Sequence, residues 1–118
     1  MFGEKMTYSK YKAKKTVVDG IPFASKKEAA RYQELKLLER AGVINDLVLQ
    51  PRFLLQEKFE YKGKTEWKIE YVADFKYIDT RTGNVVVEDT KGYKPDVYKI
   101  KRKLFLKKYG ENFEFIES

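Results

Sequence analysis

Two aspartates and one lysine carry the chemistry that this chain can do. Asp74 sits in Tyr71-Val72-Ala73-Asp74-Phe75, and Asp89-Thr90-Lys91 closes the run Val85-Val86-Val87-Glu88. The sequence holds no histidine and no cysteine. That excludes Ser-His-Asp triads, cysteine nucleophiles, disulfides and the usual zinc-hydrolase ligands. Hydrolytic chemistry must come from carboxylates, lysines and hydroxyls, with a hard cation that prefers oxygen ligands. Mg²⁺ or Mn²⁺ on one or two carboxylates would acidify a water and neutralise a scissile phosphate. Lys91 would then orient or deprotonate that water, or stabilise the charge of the transition state. An acid-x-lysine triplet alone is a common surface turn; an aspartate inside a strongly apolar strand is rarer, because an unpaired buried charge is costly.

Strand geometry decides whether these groups can meet. Side chains alternate faces, so Asp89 and Lys91 point one way while Glu88 and Thr90 point the other. From Trp67 to Tyr77 the odd positions Trp67, Ile69, Tyr71, Ala73, Phe75 and Tyr77 are apolar, a period that predicts one strand with Asp74 on its opposite face. A tight turn through Gly83-Asn84 would make the two strands antiparallel neighbours and set Asp74 beside Asp89. Two carboxylates at that range repel unless a cation lies between them.

Two more residues carry paired readings. Glu28 completes a capping box with Ser25, which needs no further role, yet a first-helix glutamate can also lean over a sheet and ligate metal. Gln50, between Leu47-Val48-Leu49 and Pro51, either hydrogen-bonds near the metal or marks a strand edge.

The elements that must position these residues follow in order. Residues 1–14 read as a flexible basic arm, and 15–118 as one domain. Thr16-Val17-Val18, Asp19-Gly20 and Ile21-Pro22-Phe23 predict a short hairpin. Ser25 opens a helix that keeps Tyr32, Leu35 and Leu38 near one face and stops near Ala41-Gly42. Leu47 to Phe59 predicts a strand broken or started around Pro51. A turn at Tyr61-Lys62-Gly63-Lys64 precedes the Trp67–Tyr77 strand, and Val85 to Asp89 forms the next. Pro95 suits a first helical turn, after which Val97, Ile100, Lys101, Leu104 and Phe105 have helical spacing. Phe113 to Ile116 is a last short strand.

The 118 residues suit one domain of α/β (α+β) class with a real core. No apolar run approaches a membrane span and no export signal opens the chain, so an intracellular protein without a membrane partner is expected. The formal charge of +7 is uneven: residues 1–27 carry a net +5 and residues 91–109 a net +7 around an acidic middle. Such blocks attract a phosphate backbone or simply solvate a surface. The candidates for nucleic-acid contact are Lys12, Lys14, Lys15, Lys94, Lys99, Lys101 and Arg102, with Tyr93 and Tyr98 (and Tyr8 and Tyr11) available for stacking.

In this order the residues resemble the PD-(D/E)XK nuclease superfamily, whose motif is an acid on the second core strand and acid-x-lysine on the third. Asp74 and Asp89-Thr90-Lys91 match it, Glu28 matches the frequent first-helix glutamate, and Ala73 stands where the nominal proline would be. The strings Ser25-Lys26-Lys27-Glu28, Leu49-Gln50-Pro51-Arg52-Phe53, Tyr71 to Phe75 and Val87 to Gly92 further resemble a phage and prophage family of small proteins of unknown function, thought to be of this nuclease type. The resemblance covers roughly residues 15 to 117. It implies a restriction-endonuclease-like αβββαβ core, a mixed sheet flanked by two helices after an N-terminal hairpin. It implies a Mg²⁺- or Mn²⁺-dependent DNA endonuclease, resolvase-like and structure-selective, with Asp74, Asp89 and Glu28 on metal and Lys91 serving the water. It further implies a homodimer acting on branched or duplex DNA in the cytoplasm of a bacterial host. The rival expectation is a non-catalytic nucleic-acid-binding module on the same fold; a third is a phage assembly or host-interaction protein whose basic surface meets acidic proteins.

Overall fold

Asp19 and Gly20 take φ values of 54° and 75°, the left-handed pair that a two-residue hairpin turn requires. They join β1 (Thr16–Val18) to β2 (Ile21–Phe23), antiparallel with Val18 opposite Ile21. The computed structural model describes residues 15–118. The described residues divide into two compact units, one reaching residue 37 and one running from 38 to 118. In the first unit, helix α1 (Lys26–Arg40) begins where Ser25 Oγ accepts the Glu28 N–H at 3.1 Å, as a capping box requires. The Phe23 and Tyr32 rings lie 4.9 Å apart, and the Tyr32 hydroxyl donates to Asp19 at 3.0 Å, tying hairpin to helix.

The helix ends in the second unit with a Schellman motif. Gly42 takes φ 78°, its N–H donates to Glu39 O, and the Val43 N–H donates to Leu38 O. The chain continues as β3 (Ile44–Leu49), β4 (Arg52–Gln56), β5 (Phe59–Tyr61), β6 (Lys64–Glu66), β7 (Ile69–Val72), β8 (Phe75–Asp79), β9 (Val85–Asp89), α2 (Asp96–Tyr109) and β10 (Glu114–Glu117). A four-stranded mixed sheet runs in the order β10-β9-β8-β3. Strand β8 is antiparallel to both neighbours, whereas β9 and β10 are parallel, as the intervening α2 allows. The protein is therefore mixed α+β, with two helices and a mixed multi-strand sheet among the described residues.

The first ribbon strand breaks around Pro51, as the sequence led one to expect, whereas the strand expected to run unbroken from Trp67 to Tyr77 breaks too, at the same level. Strand β3 gives way to β4 at Gln50-Pro51, and β7 to β8 at Ala73-Asp74. Gln50 adopts φ 51° and donates its N–H to Asp74 O at 2.9 Å; the Ala73 N–H donates to Pro51 O at 3.1 Å. Proline has no N–H to continue the ladder. The β3/β8 half of this ribbon stays in the main sheet, and the β4/β7 half forms a separate antiparallel pair. The break ends the two-residue period. The Tyr71 hydroxyl reaches Asp89 while that of Tyr77 reaches Glu88, and adjacent residues of one strand face opposite sides. Trp67, expected inside the strand, lies outside it and is 71% exposed.

Of the stripe expected on helix α2, Val97, Ile100, Lys101, Leu104 and Phe105, only Phe105 is buried. Tyr98 and Phe105 are buried, whereas Val97, Ile100 and Leu104 are exposed. Pro95 is its N-cap, one position earlier than expected. The Phe105 ring lies 4.8 Å from Phe53 and 5.0 Å from Tyr71. Phe113, Phe115 and Tyr109 complete this cluster. Aromatic rings bury more surface than the aliphatic stripe, and offset or edge contacts add to that gain. The Tyr109 hydroxyl fixes the end of α2 by donating to Leu54 O at 2.8 Å.

Phe105→Ala should therefore lower unfolding free energy by about 3–5 kcal/mol, while Leu104→Ser, one residue away and 46% exposed, should change it by less than about 0.5 kcal/mol. Urea unfolding followed by circular dichroism measures both, and equal losses would contradict this assignment of the helix face.

Candidate active site

Strand β9 ends on Asp89, whose side chain is completely buried. Its Oδ2 accepts a short hydrogen bond from the Tyr71 hydroxyl. Its Oδ1 lies 3.2 Å from Lys91 Nζ, an ion pair whose angle makes no hydrogen bond, so that buried oxygen has none. Asp74, buried at the break between β7 and β8, is held by one residue: its Oδ2 accepts both the N–H and the Oγ1 hydroxyl of Thr90, each at 2.8 Å. The Asp74 N–H donates to Glu88 O, which pins the break to β9.

The electrostatics follow from this geometry. Burial pushes the Asp89 carboxyl up to about 7; the Tyr71 hydrogen bond and Lys91 oppose the rise, and the neighbouring Asp74 carboxyl adds to it. Burial and the Asp89 charge likewise hold the Tyr71 hydroxyl well above its usual range, so it stays a donor. Lys91 Nζ also lies 5.4 Å from the centre of the Tyr98 ring. The Tyr98 hydroxyl donates to Glu117, and burial together with that carboxylate raises it.

Asp74, Asp89 and Lys91 thus come together in the second unit, though not as one strand's parity predicts. Asp74 was expected on the face away from Tyr71, and the interruption of the strand instead directs both toward Asp89. Gln50 contributes its backbone N–H at the same break, and its side chain is exposed. Glu28 lies buried in the first turn of α1, in the other unit, with the Ser25 cap on its N–H. Lys91, Tyr93, Tyr98 and Lys101 line one cleft. Lys99 is exposed, Lys94 half-buried, and Arg102 is engaged by Glu117 at 3.1 Å. Lys15 is exposed beside β1. Lys12, Lys14, Tyr8, Tyr11 and the expected arm lie outside the described residues. Sequence reasoning missed Tyr71 and Thr90; the period assigned both to faces that the break and the end of β9 overrule.

A divalent cation fits this donor set. Among the described residues no group of three or more acidic side chains is placed to hold a metal. Mg²⁺, however, is commonly bound through one or two carboxylates and completes its shell with water and phosphate oxygens. Two adjacent buried acids, one with an oxygen that makes no hydrogen bond, match that need.

The fold and site define a mixed α+β protein with a buried acid pair and a lysine at the end of the interior strand β9. The chain belongs to the family described as "Protein of unknown function (DUF1064)", which matches residues 8–117. Neither a curated protein nor a solved structure matches it. Among the described residues no helix is long and apolar enough to cross a membrane.

An unperturbed aspartate titrates near about 3.9, so a folded value of about 7 means that the fold disfavours the ionised form of Asp89. Its contribution is most favourable below the unfolded value and is lost as pH rises towards and through the folded one. Without divalent metal, the melting temperature of Asp89→Asn minus that of the wild type should therefore rise between about pH 4 and about pH 8. A difference that stays flat in thermal melts across that range would contradict the burial argument.

Proposed function

We propose that this protein is a Mg²⁺- or Mn²⁺-dependent DNA endonuclease of the PD-(D/E)XK type, with a restriction-endonuclease-like core. The observation that carries the reading is the buried Asp89 carboxyl, set beside Asp74 with Lys91 Nζ at 3.2 Å. The element order adds support: α1, the β3–β4 and β7–β8 ribbon, β9, α2 and β10 follow the αβββαβ sequence of that superfamily.

Asp74 and Asp89 would hold the cation, which when bound supplies an acidified water and neutralises charge on the scissile phosphate. Thr90 fixes Asp74 with two donors, and the Tyr71 hydroxyl fixes the Asp89 rotamer. Lys91 donates towards the attacking water or the phosphate oxygens. The net +7 of residues 91–109, which follow directly on β9, draws a polyanion towards this end of the sheet. In keeping with the phage resemblance, the substrate would be branched or duplex DNA in a bacterial cytoplasm, cut by a two-fold dimer.

The test is a panel of duplex, single-stranded, flap and four-way-junction DNA incubated with Mn²⁺. The wild type should cut at least one. Asp89→Ala should cut none yet bind DNA as tightly or more tightly, and Lys91→Ala should lose roughly 10²–10⁴-fold in rate. A wild type that binds DNA and cuts nothing with either metal would instead favour a non-catalytic binding module.

A further inference from the structure

A cleft of about 460 Å³ opens beside the acid pair, with Lys91 forming part of its wall. Tyr93, Pro95 and Val97 supply an apolar side, Tyr98 lies among them, and Lys101 adds a second cation. Tyr93 is 82% exposed and Val97 63%, an unusual exposure for an aromatic ring and an aliphatic side chain next to a buried polar centre. The acid of the cleft, Glu70, is already engaged by Arg52 at 3.1 Å and Lys68 at 3.3 Å. The cleft therefore offers a planar ring, an apolar side and two lysines without a competing free carboxylate.

We propose that this cleft takes one unpaired nucleotide of the DNA substrate, its base stacked on Tyr93 and its phosphate held by Lys101. The proposal rests on the nuclease reading, which puts the scissile phosphate at the acid pair next door. The volume falls within the roughly 300–1,000 Å³ of small-molecule sites, room for a nucleotide. Base–aromatic stacking is sequence-tolerant because every base has a π-face. In an intact duplex that face is covered by its neighbours, so the occupant must be splayed, flipped or single-stranded. Tyr98 is not the stacking ring: its hydroxyl is committed to Glu117, its ring lies 6.2 Å from Tyr71, and Lys91 lies over it. The site would thus make cleavage depend on an unpaired base at a flap, junction or end.

A 2-aminopurine base at a single position, unpaired in a flap or paired in a matching duplex, tests this by fluorescence in EDTA, where binding proceeds without cleavage. Wild type and Tyr93→Phe should quench the unpaired probe and leave the paired one unchanged. Tyr93→Ala, at an exposed position and with an unaltered far-ultraviolet spectrum, should lose the quenching and bind the flap roughly 10-fold more weakly. Lys101→Ala should weaken flap binding and reduce its salt dependence. Quenching retained in Tyr93→Ala, or equal wild-type affinity for flap and paired duplex, would overturn the proposal. The two readings fail separately: Tyr93-dependent quenching without cleavage of any DNA refutes the nuclease and keeps the base site. Cleavage that ignores Tyr93, with no quenching, does the reverse.

Discussion

Asp89 and Asp74 are buried side by side in a chain with no histidine or cysteine to share their charge. Two carboxylates in that setting destabilise the fold once both ionise, unless positive charge or fixed donors compensate. The surrounding residues supply partial compensation. Thr90 gives Asp74 two hydrogen bonds, Tyr71 gives Asp89 one, and Lys91 gives Asp89 an ion pair. One Asp89 oxygen still makes no hydrogen bond. A buried oxygen left short in this way, at the end of the interior strand β9, is one that a bound cation would satisfy.

The interruption of the strand at Ala73-Asp74 makes the pairing possible. Had residues 67–77 run as one strand, Tyr71 and Tyr77 would share a face, and the Tyr71 hydroxyl would point away from Asp89. The matching break at Gln50-Pro51, with Gln50 held in left-handed backbone, lets the ribbon leave the main sheet and carry Tyr71 over to α2. A non-glycine residue at φ 51° costs free energy that the surrounding hydrogen bonds must offset. The aromatic cluster around Phe105 anchors that half of the ribbon. The core and the site therefore share Tyr71: its ring packs against Phe105 while its hydroxyl serves Asp89.

Local chemistry was legible in the sequence wherever a few adjacent residues determine a conformation. The Asp19-Gly20 turn, the Ser25 cap and the Gly42 helix end all follow from side-chain hydrogen bonds or positive φ within one turn. Asp89 and Lys91 do meet in an ion pair, but Lys91 lies beyond the end of β9, so strand alternation is not what brings them together. Alternation also failed over a longer reach, because an eleven-residue apolar period from Trp67 to Tyr77 carries no mark of the break at Ala73-Asp74. Thr90 was misplaced for a related reason: β9 ends at Asp89, and past that point parity no longer fixes direction. On α2 the expected stripe of Val97, Ile100, Lys101, Leu104 and Phe105 held only at Phe105; Tyr98 is the other buried residue of the helix, and the tertiary partner Phe53 draws the aromatic face inward.

The central claim is that Asp74 and Asp89 form a cation site whose buried carboxyl must lose its proton when metal binds. Calorimetric titration with Mn²⁺ at neutral pH, repeated in buffers of different ionisation enthalpy, measures affinity and proton release together. The account predicts one ion per chain and a release of protons on binding, since burial raises the Asp89 carboxyl to about 7, with both lost in Asp89→Asn. No saturable binding, or binding that Asp89→Asn leaves unchanged, would contradict it.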